Sequence, residues 1–114
     1  MKIAITIILL LFMQVAGNAQ TQMEMNEQAA REFKAADKTM SALYKKVMAL
    51  QDDAGKKLLL EAQRAWIKYK EAHCESAANM YRDGSIYPLI YNSCLRELTE
   101  ERTKKLQQYI DEMN

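Results

Sequence analysis

The chain has 114 residues, enough for one domain, and carries 16 basic against 15 acidic side chains. That near-balance lacks the positive excess of a nucleic-acid binder. Three glycines and one proline leave few places to break a chain rich in Ala, Glu, Lys, Gln, Met and Leu, which therefore reads as long helices.

The first segment reads as a targeting signal. Met1-Lys2 is a short positive start, and Ile3 to Val15 is apolar except for Thr6 and Gln14. Ala16-Gly17-Asn18-Ala19 comes next, small and polar, completing the three regions of a secretory signal peptide. Signal peptidase admits small side chains at the last and third-last positions, here Ala19 and Gly17. The cut then falls after Ala19, giving a signal peptide over 1–19 and a single helical domain over 20–114. The apolar run is shorter than the ~18–20 residues that span a bilayer, so it is not read as a membrane anchor. No cysteine stands after the cut to carry a lipid. Removing Lys2 leaves fifteen basic and fifteen acidic side chains, a formally neutral domain of periplasmic or secreted location.

The first helix of that domain is expected from about Gln22 to Leu50. Thr21 and Glu24 fit a capping box. Ala29, Phe33, Ala36, Met40, Leu43, Val47 and Leu50 recur in alternating steps of four and three, a heptad-like seam for partner helices. Asp52-Asp53-Ala54-Gly55 breaks the pattern and can cap the next helix.

A second helix is expected from about Ala54 to Met80. Leu59, Ala62, Trp66, Tyr69 and His73 continue the spacing, with Leu58 and Ala65 widening the stripe. Gly84-Ser85 ends the next connection, with Ser85 as N-cap and Pro88 in the first turn of a third helix, where its missing amide costs little. That helix extends to about Met113 through Tyr91, Leu95, Leu98, Leu106 and Tyr109. The fold class is all-α: three long helices, as an antiparallel bundle or a helical hairpin.

Two cysteines in an exported protein more often pair than stay free. Gly84 lies midway between Cys74 and Cys94, so a hairpin turning there sets both at similar heights on facing helices. Closing that loop of about twenty residues is worth roughly 3 kcal/mol in the chain-entropy model, a large share for a small domain.

Catalytic chemistry is not legible. There is no H-E-x-x-H, no glycine-rich phosphate loop and no Ser with His and carboxylate in motif context. His73, the single histidine, stands beside Cys74, but three ligands at best fall short of a zinc set. The reading is therefore non-enzymatic, with no cofactor and no metal. Trp66 and Tyr69 read as core aromatics. Arg102 falls on the third seam, either snorkelling at the core edge or pairing with Asp37. The connection from Asn79 to Tyr87 is the candidate binding surface, with Tyr81, Arg82, Ser85 and Tyr87 as contact residues. A disulfide-limited turn presents Tyr and Arg with little entropy left to lose on contact.

The run from Ala62 to Cys74 (A-Q-R-A-W-I-K-Y-K-E-A-H-C) resembles the signature of the secreted LprI-type lysozyme-inhibitor family. So do Gly84-Ser85-Ile86-Tyr87-Pro88, the stretch from Cys94 to Thr103, and the opening Met25-Asn26 with Ala36-Asp37. The resemblance implies a small exported helical domain with one disulfide, with Trp66 and both cysteines in structural roles. It also implies a possible muramidase partner of the lysozyme type. The function expected is therefore an envelope protein that binds and inhibits such a muramidase, with a structural or assembly module of the envelope as the alternative. Nothing in the sequence fixes the oligomeric state.

Overall fold

The computed structural model describes residues 2–113, with side chains from Thr21 onward. The signal peptide over 1–19 and its cut after Ala19 fall outside the described side chains. Three helices carry the chain: α1 Lys2–Ala49, α2 Asp53–Ala78 and α3 Tyr87–Met113, with a 3-10 turn over Asn79–Tyr81. No helix among the described residues is long and apolar enough to cross a membrane.

Cross-contacts fix the directions. Asn26, Glu32 and Gln51 of the first arm meet Ser85, Arg96 and Met113 in rising order, so α1 and α3 run parallel. Cys74 meets Cys94 and Gln63 meets Arg102, so α2 runs antiparallel to α3. The bundle is thus up, down, up. The α1–α3 interface is the broadest, α2 rests mainly on α3, and α1 and α2 touch little. Asp52 caps α2, its carboxylate accepting from the Gly55 amide at 2.7 Å.

Met40, Val47, Leu59 and Leu106 form the buried core, with Leu43, Tyr44, Met48, Trp66 and Ile110 packed around it. The α1 seam thus faces inward as expected, except at its end: the helix stops at Ala49 and Leu50 is exposed. The first helix does not start at Thr21, where the capping box was expected: α1 runs through that position. Ser85 is not the N-cap of α3 either. The helix starts two residues later, and the Ile86 carbonyl accepts the first helical bond, from the Ile90 amide at 3.2 Å. On α3, Tyr109 is turned outward while Thr99 takes a fully buried place, its hydroxyl donating to the Leu95 carbonyl at 2.7 Å.

The largest correction concerns α2. Leu58, Ala62, Ala65, Tyr69 and His73 face solvent, and Leu59, Gln63, Lys70, Cys74 and Ala78 face inward. Beyond Leu59 the buried face is one residue out of phase with the apolar stripe. Cys74 must point at Cys94, and two polar residues can hold inward positions because each finds partners. The Lys70 ammonium lies over two rings, 4.5 Å from the Trp66 centroid and 5.2 Å from that of Phe33. Burial lowers the Lys70 pKa, opposed by the charges of Asp37 and Glu71. Gln63 donates to the Met40 sulfur at 3.2 Å and accepts from Arg102 Nε at 2.9 Å.

Arg102 therefore hydrogen-bonds to Gln63 rather than to Asp37, with its guanidinium 6.0 Å from the Trp66 ring centre. Burial lowers its pKa. Arg102→Ala should cost about 1–2 kcal/mol, since Gln63 would lose a charge-assisted partner in a half-dry setting, whereas exposed Lys104→Ala should change little. Thermal melts of both variants check this, and equal effects would count against it. Gln63→Ala should lose a similar amount, and the double variant less than the sum.

Candidate functional site

Beyond the disulfide the chain reverses in a short connection. Cys74 is fully buried, Cys94 is half-buried, and their Cα atoms stand 5.5 Å apart. The Arg82 amide donates to the Asn79 carbonyl at 3.1 Å, and the Gly84 amide to the Tyr81 carbonyl at 3.0 Å. Asp83 makes the reversal at φ 69°, a left-handed conformation that Asp tolerates better than most side chains. At Gly84 the turn passes close to itself: a Cβ there would sit 3.1 Å from the Tyr81 carbonyl oxygen, a tight contact that glycine avoids.

A second tether comes from α1. Asn26 Nδ2 donates to the Ser85 carbonyl at 2.8 Å, while Gln22 Nε2 donates to Asn26 Oδ1 at 2.8 Å and orients the amide. The turn is thus held by a covalent bond on one side and a cross-bundle hydrogen bond on the other. The sequence singled out Asn26 only as part of a family resemblance. A polar residue whose main partner is distant has no periodic signal to reveal it.

The four predicted contact residues divide into two pairs. Arg82 is exposed and Tyr87 half-buried, and together they line a shallow depression of about 290 Å³ with Glu75, Asn79 and Asp83. Tyr81 and Ser85 are exposed on the same turn but do not line it. Tyr87 stacks on Tyr91, ring centres 5.8 Å apart and planes within 11°, which holds its ring in place. Burial raises the Tyr91 pKa, reinforced by Glu75, Glu71 and Tyr87, so its phenol stays protonated. Met80 stands 81% exposed at the tip, an apolar contact group that neither predicted pair included.

Elsewhere the chemistry is sparse. His73 is exposed and stacks on Tyr69, ring centres 5.4 Å apart. Among the described residues no group of three or more His, Cys, Asp or Glu is placed to hold a metal ion.

Three helices, with one disulfide beside the turn between α2 and α3, define a small all-helical module. The sequence profile of the family described as Lysozyme inhibitor LprI matches residues 13–106, and the chain belongs to that family. An uncharacterized protein of Rhizobium meliloti (strain 1021) is 34% identical over 106 residues, covering 82% of this chain and 76% of that protein. No solved structure matches.

Proposed function

We propose that the chain is exported to the bacterial envelope and there inhibits a lysozyme-like muramidase by seating the turn over Asn79–Tyr87 in the enzyme's cleft. One observation carries this reading: exposed Met80, Tyr81 and Arg82 project from a turn tethered by Cys74–Cys94 and by Asn26 to Ser85. Little order remains to be gained on contact, so less of the interaction energy is lost to freezing side chains and backbone.

A retaining muramidase keeps two carboxyl groups about 5–5.5 Å apart at its centre. Arg82 supplies a planar cation that one such carboxylate can accept bidentately. Tyr81, Ser85 and Tyr87 fill the cleft around it, and Met80 adds apolar area at the rim. Glu75 and Asp83 flank the Arg82 depression, which favours a partner that brings its own basic groups beside the acidic pair.

Purified protein should slow the lysis of a peptidoglycan suspension by such an enzyme. Arg82→Ala with Tyr87→Ala should abolish the effect while circular dichroism stays helical. Inhibition undiminished in the double variant would discard the turn as the contact surface and leave the family assignment standing.

A further inference from the structure

The stripe of apolar residues on α2 that faces away from α1 and α3 is a seam in its own right. Leu58 is 65% exposed and Tyr69 57% exposed, and Ala62, Ala65 and Ala72 are exposed with them. The steps from Leu58 run four, three, four, three, the spacing by which one helix meets another along its length. The inward face through Leu59, Gln63, Lys70, Cys74 and Ala78 is already covered, so α2 carries two usable sides.

Charge identifies the occupant. Glu61 and Lys68 are exposed, one heptad apart, and each immediately precedes a seam residue, Ala62 and Tyr69. Opposite charges at such positions are satisfied reciprocally by an antiparallel copy of the same helix. With Ala62 against Ala65 of the second copy, Leu58 falls on Tyr69 of the second copy, and Glu61 lies beside its Lys68. The two-fold axis repeats each contact. Two small residues at the centre let the helices approach closely, and each large side chain meets its counterpart outside them. A parallel pair in register places Leu58 on Leu58, gives Glu61 and Lys68 no opposite charge across the seam, and aligns the helix dipoles unfavourably.

We propose that α2 pairs antiparallel with α2 of a second copy of this chain through Leu58, Ala62, Ala65 and Tyr69, with two symmetry-related Glu61–Lys68 pairs along one flank of the seam. The arrangement is isologous, as a closed dimer requires. It leaves the turn after Ala78 free at opposite ends of the pair, so the dimer presents two contact surfaces. Pairing through α2 does not depend on what those surfaces bind.

Light scattering across a concentration series of the purified protein tests this, with circular dichroism and an intact disulfide as the check on folding. The expected result is twice the monomer mass at high concentration, monomer for Ala65→Glu, and a dissociation constant raised roughly tenfold for Lys68→Glu, equivalent to about 1.4 kcal/mol. Reversing both charges, Glu61→Lys with Lys68→Glu, should restore the affinity. A chain that stays monomeric at every concentration overturns the proposal. So does a dimer indifferent to Ala65→Glu, or a charge-reversal loss that the double variant does not recover.

Discussion

Replacing Leu106 by alanine should lower the unfolding free energy by about 3 kcal/mol, the middle of the range for a buried leucine truncated in a core that only partly relaxes. Leu106 is fully buried and belongs to the cluster of Met40, Val47 and Leu59, so it is where residues of all three helices come together. A domain of this size has few such contacts to lose, and its total stability is on the order of 5–15 kcal/mol. Leu50→Ala is the matched control. The heptad steps place Leu50 on the same seam as Val47, but it is exposed just past the end of α1, so its truncation should stay within about 0.5 kcal/mol. Urea unfolding curves for the two variants give the answer. Equal losses would mean that the first seam continues beyond Ala49.

Removing the disulfide as Cys74→Ala with Cys94→Ala should cost about 3 kcal/mol, mainly by freeing the unfolded chain. Alanine is the right replacement because Cys74 is fully buried, and serine there would add a hydroxyl in need of a partner. The loss should appear as a lower urea midpoint with a slope that reports any change in the compactness of the unfolded chain. Local consequences should be visible before global ones. The bond lies a few residues from the turn, so trypsin should cut after Arg82 faster in the variant at temperatures where both proteins remain folded. An unchanged cleavage rate would show that the Asn26–Ser85 hydrogen bond suffices to hold the turn. Inhibition by the variant, measured in the same lysis assay, then separates the role of the turn's shape from that of its residues.

The helices were legible because, beyond Thr21, Gly55 and Pro88 fall in the first turns of α2 and α3 and Gly84 in the connection between them, and because the first seam keeps one phase from Ala29 to Val47. The cysteine pairing was legible from symmetry about Gly84. The face of α2 was not. Hydropathy favours the stripe through Leu58, Ala62 and Tyr69, while the structure turns Gln63 and Lys70 inward, and no single-residue scale values a lysine for lying across two aromatic rings. Arg102 was correctly placed on the third seam, but its partner was not: Gln63 offers an amide oxygen at 2.9 Å from the buried face of α2, which the predicted phase had pointed elsewhere. The turn was found as a segment from its composition. Its tether to Asn26, 59 residues away in sequence, depends on the parallel arrangement of α1 and α3 and leaves no local trace.

The order of the helices along the chain sets a constraint on how this bundle can form. The two helices that come first lean on the third, since α1 and α2 scarcely touch without it. Until Tyr87–Met113 docks, Val47, Met40 and Leu59 have no wall to close against and remain wet. A pairing of α1 with α2 alone is therefore no intermediate worth populating, and collapse depends on contacts between residues far apart in the sequence.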